Sequence, residues 1–326
     1  MRFRALFAPG AAVRSPSGIV ARAFRAARAA AKRLPAAYEM AQAARGAALA
    51  AERRNGLTLY HETNHAAPPF SGPVVLTVHD LSTLVVPQTE EPARVRHFAR
   101  ALRLHAREAQ RVVTPTEAIA RQVVERLGVA RDRVRAIRHG VDARFRPDGP
   151  KAKPVPGPYV LYVGALGPRK GVDTLLTAFD VLPEPLRRAH SLVLAGPLQR
   201  IDPARLEGAT LLGYVGDDAL PALLRGASAF VYPSRYEGFG LPLLEALACG
   251  VPSVASDDPA LVEVAGGCAL HAARGDAGAL SEALRQVLED SALRAELKRK
   301  GPERAGGFTW DRSARAHLEV YREAAA

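Results

Sequence analysis

The chain has 326 residues, 48% of them hydrophobic, and a formal charge of +12. That length favours two domains over one, and the hydrophobic share supports packed cores and argues against disorder. The two cysteines, Cys249 and Cys268, cannot build a disulfide framework and have no metal-ligand cluster around them, so both read as inert core residues of a cytoplasmic protein.

The positive charge has two readings. One is attraction to an anionic membrane surface, an acidic acceptor or nucleic acid. The other is a codon supply that favours Arg and Ala, since only six of the 45 cations are lysine. Basic residues are not interleaved with aromatics in a recognisable module, so no nucleic-acid partner is expected. No apolar run of about 20 residues predicts a membrane span. Met1–Phe7 is too short an apolar run for a secretory leader.

In chain order, residues 17–34 and 36–54 read as two helices separated at Pro35. Arg22, Arg25, Arg28, Lys32 and Arg33 form a basic stripe on the first. The stripe either lies on anionic lipid or is a solvated helix face, and its apolar side is mostly alanine, which anchors poorly. Thr58–Glu62 and Val74–Asp80 read as short strands ending in polar side chains, and 90–110 as a helix. Arg111–Thr116 is a strand running into a helix over 116–127, stopped by Gly128. Val134–Ile137 is a strand followed by the turn His139-Gly-Val-Asp142. This alternation predicts a parallel sheet.

Residues 146–158 form a linker rich in Pro, Gly and charge. Beyond it, strands are expected at 159–164, 191–196, 209–213, 228–232, 252–256 and 267–271. Helices are expected at 171–182, 217–226, 241–249, 276–290, 291–304 and 310–324. Two α/β halves, 1–147 and 148–326, imply a cleft between them, with the last helix packing back on the first half.

The chemistry concentrates in the second half. Ser228–Glu263 reads as strand, loop, helix and strand. Pro242 suits the first turn of its helix and Gly250 the C-cap. Glu237 in the loop and Glu245 in the helix have seven residues between them. Ligands bind at the carboxyl ends of parallel strands, which places Glu237 at the ligand mouth. The N–H groups of Gly240 and Leu241, at the helix start, suit an anion. A ligand with hydroxyls at two places and a phosphate between them satisfies all three features, as a nucleotide-sugar does.

A second stretch, Tyr162–Gly171, also follows a strand. Gly164 and Gly167 permit close backbone approach, and Arg169 and Lys170 bring two cations to the same mouth. Such a loop is a diphosphate clamp, or else an ordinary surface turn. The G-x-G-x-x-G order and the Walker A loop are absent, and Asp180 comes too early for the ribose-binding acid of a dinucleotide fold. Asp217-Asp218 reads as a helix N-cap and Asp257-Asp258 as a turn, so no metal site is expected.

These residues carry a resemblance. Val163-Gly through Arg169-Lys-Gly171, Glu237-Gly-Phe-Gly-Leu-Pro-Leu-Leu-Glu245 and Ala248-Cys-Gly-Val-Pro252 resemble the retaining glycosyltransferases of family 4. Leu212-Gly-Tyr-Val215 and the His139–Asp142 turn support it, over about residues 58–326. The resemblance implies a GT-B fold: α/β, with two Rossmann-like domains facing across a cleft. It implies that Arg169 and Lys170 hold the donor diphosphate, with Gly164, Gly240 and Leu241 beside it. Glu237 then contacts the transferred sugar and Glu245 the ribose. His79 faces the donor sugar with Asp80 beside it, unless it is a buried histidine at a strand end. Glu263 matches a recurring family position, and otherwise caps or braces the sheet. His61 and His65 read as structural, while Tyr60–Asn64 resembles a segment of mannosyl- and rhamnosyl-type members acting on surface polysaccharides.

The implied reaction is retaining transfer of a mannose-like hexosyl group from a nucleotide-diphosphate sugar, GDP-mannose first, to a glycan or lipid-linked saccharide. Retention needs either a carboxylate nucleophile or same-face attack steered by the leaving phosphate, and the resemblance favours same-face attack, without a metal or other cofactor, either in the cytoplasm or peripherally on the inner face of the cytoplasmic membrane. One departure stands out. The family's opening strand and Gly-rich loop have no counterpart, since Ser17–Val20 lacks a preceding strand. A missing first strand exposes a sheet edge or an apolar face. That keeps open a donor-binding but inactive protein or partner subunit, and a sugar-nucleotide epimerase or phosphorylase of the same fold.

Overall fold

The computed structural model describes residues 46–326 apart from 48, 55, 57, 64–66, 68, 69, 90 and 91. The helix expected at 17–34, its basic stripe, Ser17–Val20 and His65 lie outside the described residues. Backbone at 46, 47 and 49–54 is helical, as expected for the end of the second helix. There the Arg53 guanidinium lies over the Phe70 ring, 5.6 Å from its centroid. The described residues from 46 to 58 group with those of Ala67–Gly72. Leu59–Ala66 and Pro73–Ala326 form one compact unit, which contains two sheets.

The first sheet is all parallel, in the order β1 (Tyr60–Glu62), β2 (Val74–Thr77), β3 (Arg111–Thr114) and β4 (Val134–Ala136). Helices α1 (Ser82–Val85) and α2 (Pro92–Glu108) lie between β2 and β3, and α3 (Glu117–Leu127) between β3 and β4. Alternation along the strands assigns the two faces. Leu76, Val112 and Val134 pack with Leu102, Ile119 and Val123 of the helices. Their neighbours Val75 and Val113, with Ile137, pack against Val320 and Ala324. Helix α3 starts where expected because the Thr116 hydroxyl accepts the Ile119 N–H, and it stops at Gly128, which is left-handed at φ 68°.

The second sheet holds β5 (Tyr159–Val163), β6 (Ser191–Ala195), β7 (Thr210–Gly213), β8 (Ala229–Tyr232), β9 (Ser253–Ser256) and β10 (Leu270–Ala272). Its order is β10-β9-β8-β5-β6-β7, again parallel. The chain runs outward from β5 in one direction, then returns to build the other side from β8. The crevice where that order reverses, between β5 and β8, is the expected ligand position in such a sheet. The loops that leave these two strands are the two chemical motifs of the sequence.

The helices of this half are α4 (Val172–Asp180), α5 (Glu184–Ala189), α6 (Leu220–Gly226), α7 (Leu241–Ala248), α8 (Pro259–Ala265), α9 (Ala277–Glu289), α10 (Ser291–Ala305) and α11 (Trp310–Ala325). Val320 and Ala324, which cover the first sheet, belong to α11. The fold is therefore the expected α/β class, with two Rossmann-like parallel layers. Three local expectations change. Asp258 is not merely in a turn: its Oδ1 accepts the Ala260 N–H at 2.9 Å and caps α8, an unexpected helix whose first residue is Pro259. Asp217-Asp218 is not the cap of α6, which begins after Ala219 without a side-chain cap. The Val74–Asp80 strand stops at Thr77, so His79 and Asp80 lie in the loop beyond it.

Val320 is 2% exposed against the first sheet. Val320→Asp buries a carboxylate with no cation among those apolar partners. The variant is expected to lose about 3 kcal/mol of stability, measured as a lower urea midpoint.

Candidate active site

The loop after β5 is shaped by its glycines. Gly164 sits at φ 151°, and its N–H donates to the Ala195 carbonyl at 2.9 Å. Pro168–Lys170 make one 3-10 turn, closed by Gly171 at φ 68°. A Cβ on Gly171 would stand 2.1 Å from the Pro233 carbonyl oxygen. Only glycine lets this turn approach the loop after β8 so closely.

The approach creates a buried ion pair. Lys170 Nζ lies 2.5 Å from Glu237 Oε1 and 3.2 Å from the Tyr232 hydroxyl. Arg169 Nη1 donates to the Tyr236 carbonyl at 3.1 Å and is 3.9 Å from Glu237 Oε2. Glu237 is 6% exposed, so the pair is buried. Tyr162 and Tyr232 stack beneath the pair with centroids 6.2 Å apart. Burial, followed by the Glu237 carboxylate, holds both phenols well above their ordinary pKa, so they stay neutral.

The Glu237 N–H donates to Asp258 Oδ2 at 3.4 Å. Asp258 is 1% exposed. Burial pushes its carboxyl up to about 6, and the Glu237 charge adds to the shift. Gly240, at φ 90°, stands at the start of α7, where a Cβ would lie 2.3 Å from Leu261 Cδ2. The Gly240 and Leu241 N–H groups have no acceptor among the described residues. One turn along α7 is Glu245, half-buried, with its carboxyl pushed up to about 7 by burial and then by Asp217.

Gly164, Arg169, Lys170, Glu237, Gly240, Leu241 and Glu245 thus sit on the two loops and the one helix at the strand-order reversal. His79 is exposed, not buried, and its Nε2 is 2.9 Å from the Thr63 carbonyl oxygen. Its loop abuts the loop of Glu237, since a Cβ on Gly238 would stand 1.9 Å from the His79 carbonyl oxygen. Asp80 Oδ1 accepts the Ser82 N–H at 2.8 Å, at the start of α1. The Glu263 carboxylate accepts the Glu117 and Ala118 N–H groups at 3.1 and 3.0 Å, so it caps the start of α3. His61 is structural as expected: Nδ1 meets the Tyr321 hydroxyl at 2.7 Å and Nε2 the Thr77 hydroxyl at 2.8 Å.

Three residues near the Lys170–Glu237 pair escaped the sequence reading of the site. Asp258 was legible as an Asp-Pro helix start. His139, 6.0 Å from the His79 ring and 4.8 Å from Phe239, is pushed down to about 4 by burial and then by His79. Tyr236 carries no local signal at all.

Two parallel Rossmann-like layers, with basic and acidic side chains brought together at the switch point of the second, are the architecture of the GT-B fold. The family models "Glycosyl transferases group 1" and "Glycosyltransferase Family 4" match residues 146–304 and 7–145. The second match extends the resemblance well before residue 58. The O-antigen chain mannosyltransferase B of Escherichia coli is 32% identical over 281 residues, 81% of this chain and 74% of that protein. The serotype-specific mannosyltransferase WbdA of Escherichia coli is 28% identical over 65% of this chain, which spans only 29% of its length. Sucrose-phosphate synthase from Thermosynechococcus elongatus shares the fold with a TM-score of 0.70 at 23% identity, covering 84% of this chain and 75% of that one. This chain belongs to the group 1 and family 4 glycosyltransferases, and it transfers a sugar from a nucleotide-sugar donor.

Gly171→Ala tests the close approach. It combines a left-handed alanine, about 1 kcal/mol, with the clash at Pro233. Nucleoside diphosphate affinity should fall at least about tenfold by calorimetry. Gly157, at φ 84° with open space around it, is the control. Gly157→Ala should lose similar backbone energy and keep full affinity.

Proposed function

We propose that this chain transfers a mannose-like hexosyl group, with retention and without a metal, to a cell-surface glycan or lipid-linked saccharide. The observation that carries the reading is the Lys170–Glu237 pair, 2.5 Å apart at the β5–β8 reversal, with Arg169 beside it. The name of the O-antigen relative supports the sugar and the acceptor class. GDP-mannose is the first donor to try.

Breaking the sugar–phosphate bond leaves new negative charge on the departing diphosphate. Arg169, Lys170 and the N–H groups of Gly240 and Leu241 stabilise that charge. Glu237 accepts hydroxyls of the transferred sugar, and Glu245 accepts the ribose hydroxyl pair. His79 faces the donor sugar from the first sheet. Glu237 is already paired with Lys170, which suits holding hydroxyls better than nucleophilic attack. The acceptor oxygen then attacks from the face the phosphate leaves, and the leaving oxygen takes its proton. Among the described residues no helix is long and apolar enough to cross a membrane. In this reading the reaction runs at the cytoplasmic face of the membrane, next to lipid-linked acceptors.

The test is nucleoside diphosphate release from candidate donors with mannosylated or polyprenyl-linked acceptors. Turnover should persist in EDTA, and the product should keep the donor's anomeric configuration by NMR. Lys170→Ala and Glu237→Ala should each lower kcat/KM about 100-fold or more, with unchanged circular dichroism. Binding without turnover of any donor would sink the transferase reading of this chain.

Glu245 gives a pH dependence. Its carboxyl sits near 7 in the free protein, so it is protonated below that pH and ionised above it. The ribose hydroxyls need the ionised acceptor, so binding expels the proton. Affinity for nucleoside diphosphate should therefore weaken up to about tenfold per pH unit below 7 and level off above it. Glu245→Gln should bind more weakly and lose this component of the profile.

A further inference from the structure

One side chain of the second sheet's loops is buried in the core of the first. Tyr236 follows β8, yet it is 2% exposed and packs with Leu76, Leu81 and Ile119. Its hydroxyl accepts the Leu81 N–H at 2.9 Å and donates to Gln122 Oε1 at 2.8 Å. Its own carbonyl accepts from Arg169 at 3.1 Å. The next residue is Glu237. The one after is Gly238, whose carbonyl accepts the Thr116 hydroxyl at 3.0 Å and whose Cα faces the His79 carbonyl. Three consecutive residues thus hold the anion clamp on one side and the His79 loop and α3 on the other.

We propose that Tyr236 is a positioning residue for sugar transfer, a peg that holds Glu237 and Arg169 in register with the loop of His79. The inference rests on the transferase reading above. The peg acts on the relation between the two sides and not on the clamp itself. Lys170 reaches Glu237 through side chains, and Asp258 holds the Glu237 backbone, both within the second sheet's half. Loosening the peg should leave diphosphate binding intact and displace the transferred sugar relative to the first sheet. A displacement of about 1 Å between reacting groups is enough to cost up to two orders of magnitude in rate.

Tyr236→Phe keeps the ring in the core but leaves the buried Leu81 N–H and the Gln122 amide oxygen without this partner. At saturating donor and acceptor, kcat should fall about tenfold, while the Kd for nucleoside diphosphate stays within about twofold. Gln122→Leu, which removes one of the two partners, should move kcat the same way by less. Hydrogen exchange should quicken in peptides containing Leu81 and Glu237, with or without an acceptor. Wild-type kcat in both variants, a Kd loss equal to the kcat loss, or unchanged exchange would each overturn the peg alone. A wild-type chain that binds nucleoside diphosphate but turns over no donor would overturn the transferase reading, and the peg with it.

Discussion

The buried pair of Lys170 and Glu237 is the constraint on which the site depends. A carboxylate as enclosed as Glu237 is strongly unfavourable without a cation, because removing it from water costs several kcal/mol. Lys170 meets that cost directly, the Tyr232 hydroxyl lies within hydrogen-bond reach of Lys170, and Arg169 sits at the outer edge. Lys170 is in turn fixed by its carboxylate and phenol partners.

The pair exists because the sheet reverses its strand order between β5 and β8, and because glycine lets the two departing loops touch. The same device recurs around the pair. A Cβ on Gly196 would stand 1.9 Å from the Gly164 carbonyl oxygen, and one on Gly238 would meet His79 as closely. At these positions backbone packs on backbone, so the tolerance for any side chain is essentially zero. Gly157 and Gly208 have nothing within 4 Å, which separates glycines of approach from glycines of turn.

The second half also holds on to helix α3 of the first. Glu263 caps its start, Gly238 receives Thr116, and Tyr236 reaches Gln122. The site is consequently not a property of the second sheet alone. The loop that carries Glu237 is shaped jointly by both sheets, and the histidine expected to face the donor sugar lies on the same seam.

The amino-acid sequence by itself determined the α/β class and the parallel alternation, and it singled out Arg169, Lys170 and Glu237 in the two loops and Glu245 in the helix at the strand-order reversal. These are short-range signals: strand ends, Gly and Pro punctuation, and spacings within one loop and helix. It misread Asp217 and Asp258, because an N-cap is settled by which turn the following residues close, and Pro259 decided that for Asp258. It left His79 and Glu263 with two readings each. Tertiary structure resolved the exposure of one and the partners of the other, since Glu263 meets Glu117 across 146 positions of chain. Tyr236 was invisible for the same reason. Its partner Leu81 lies 155 residues away, and a tyrosine in a Gly-containing loop looks the same whether it faces solvent or fills another sheet's core.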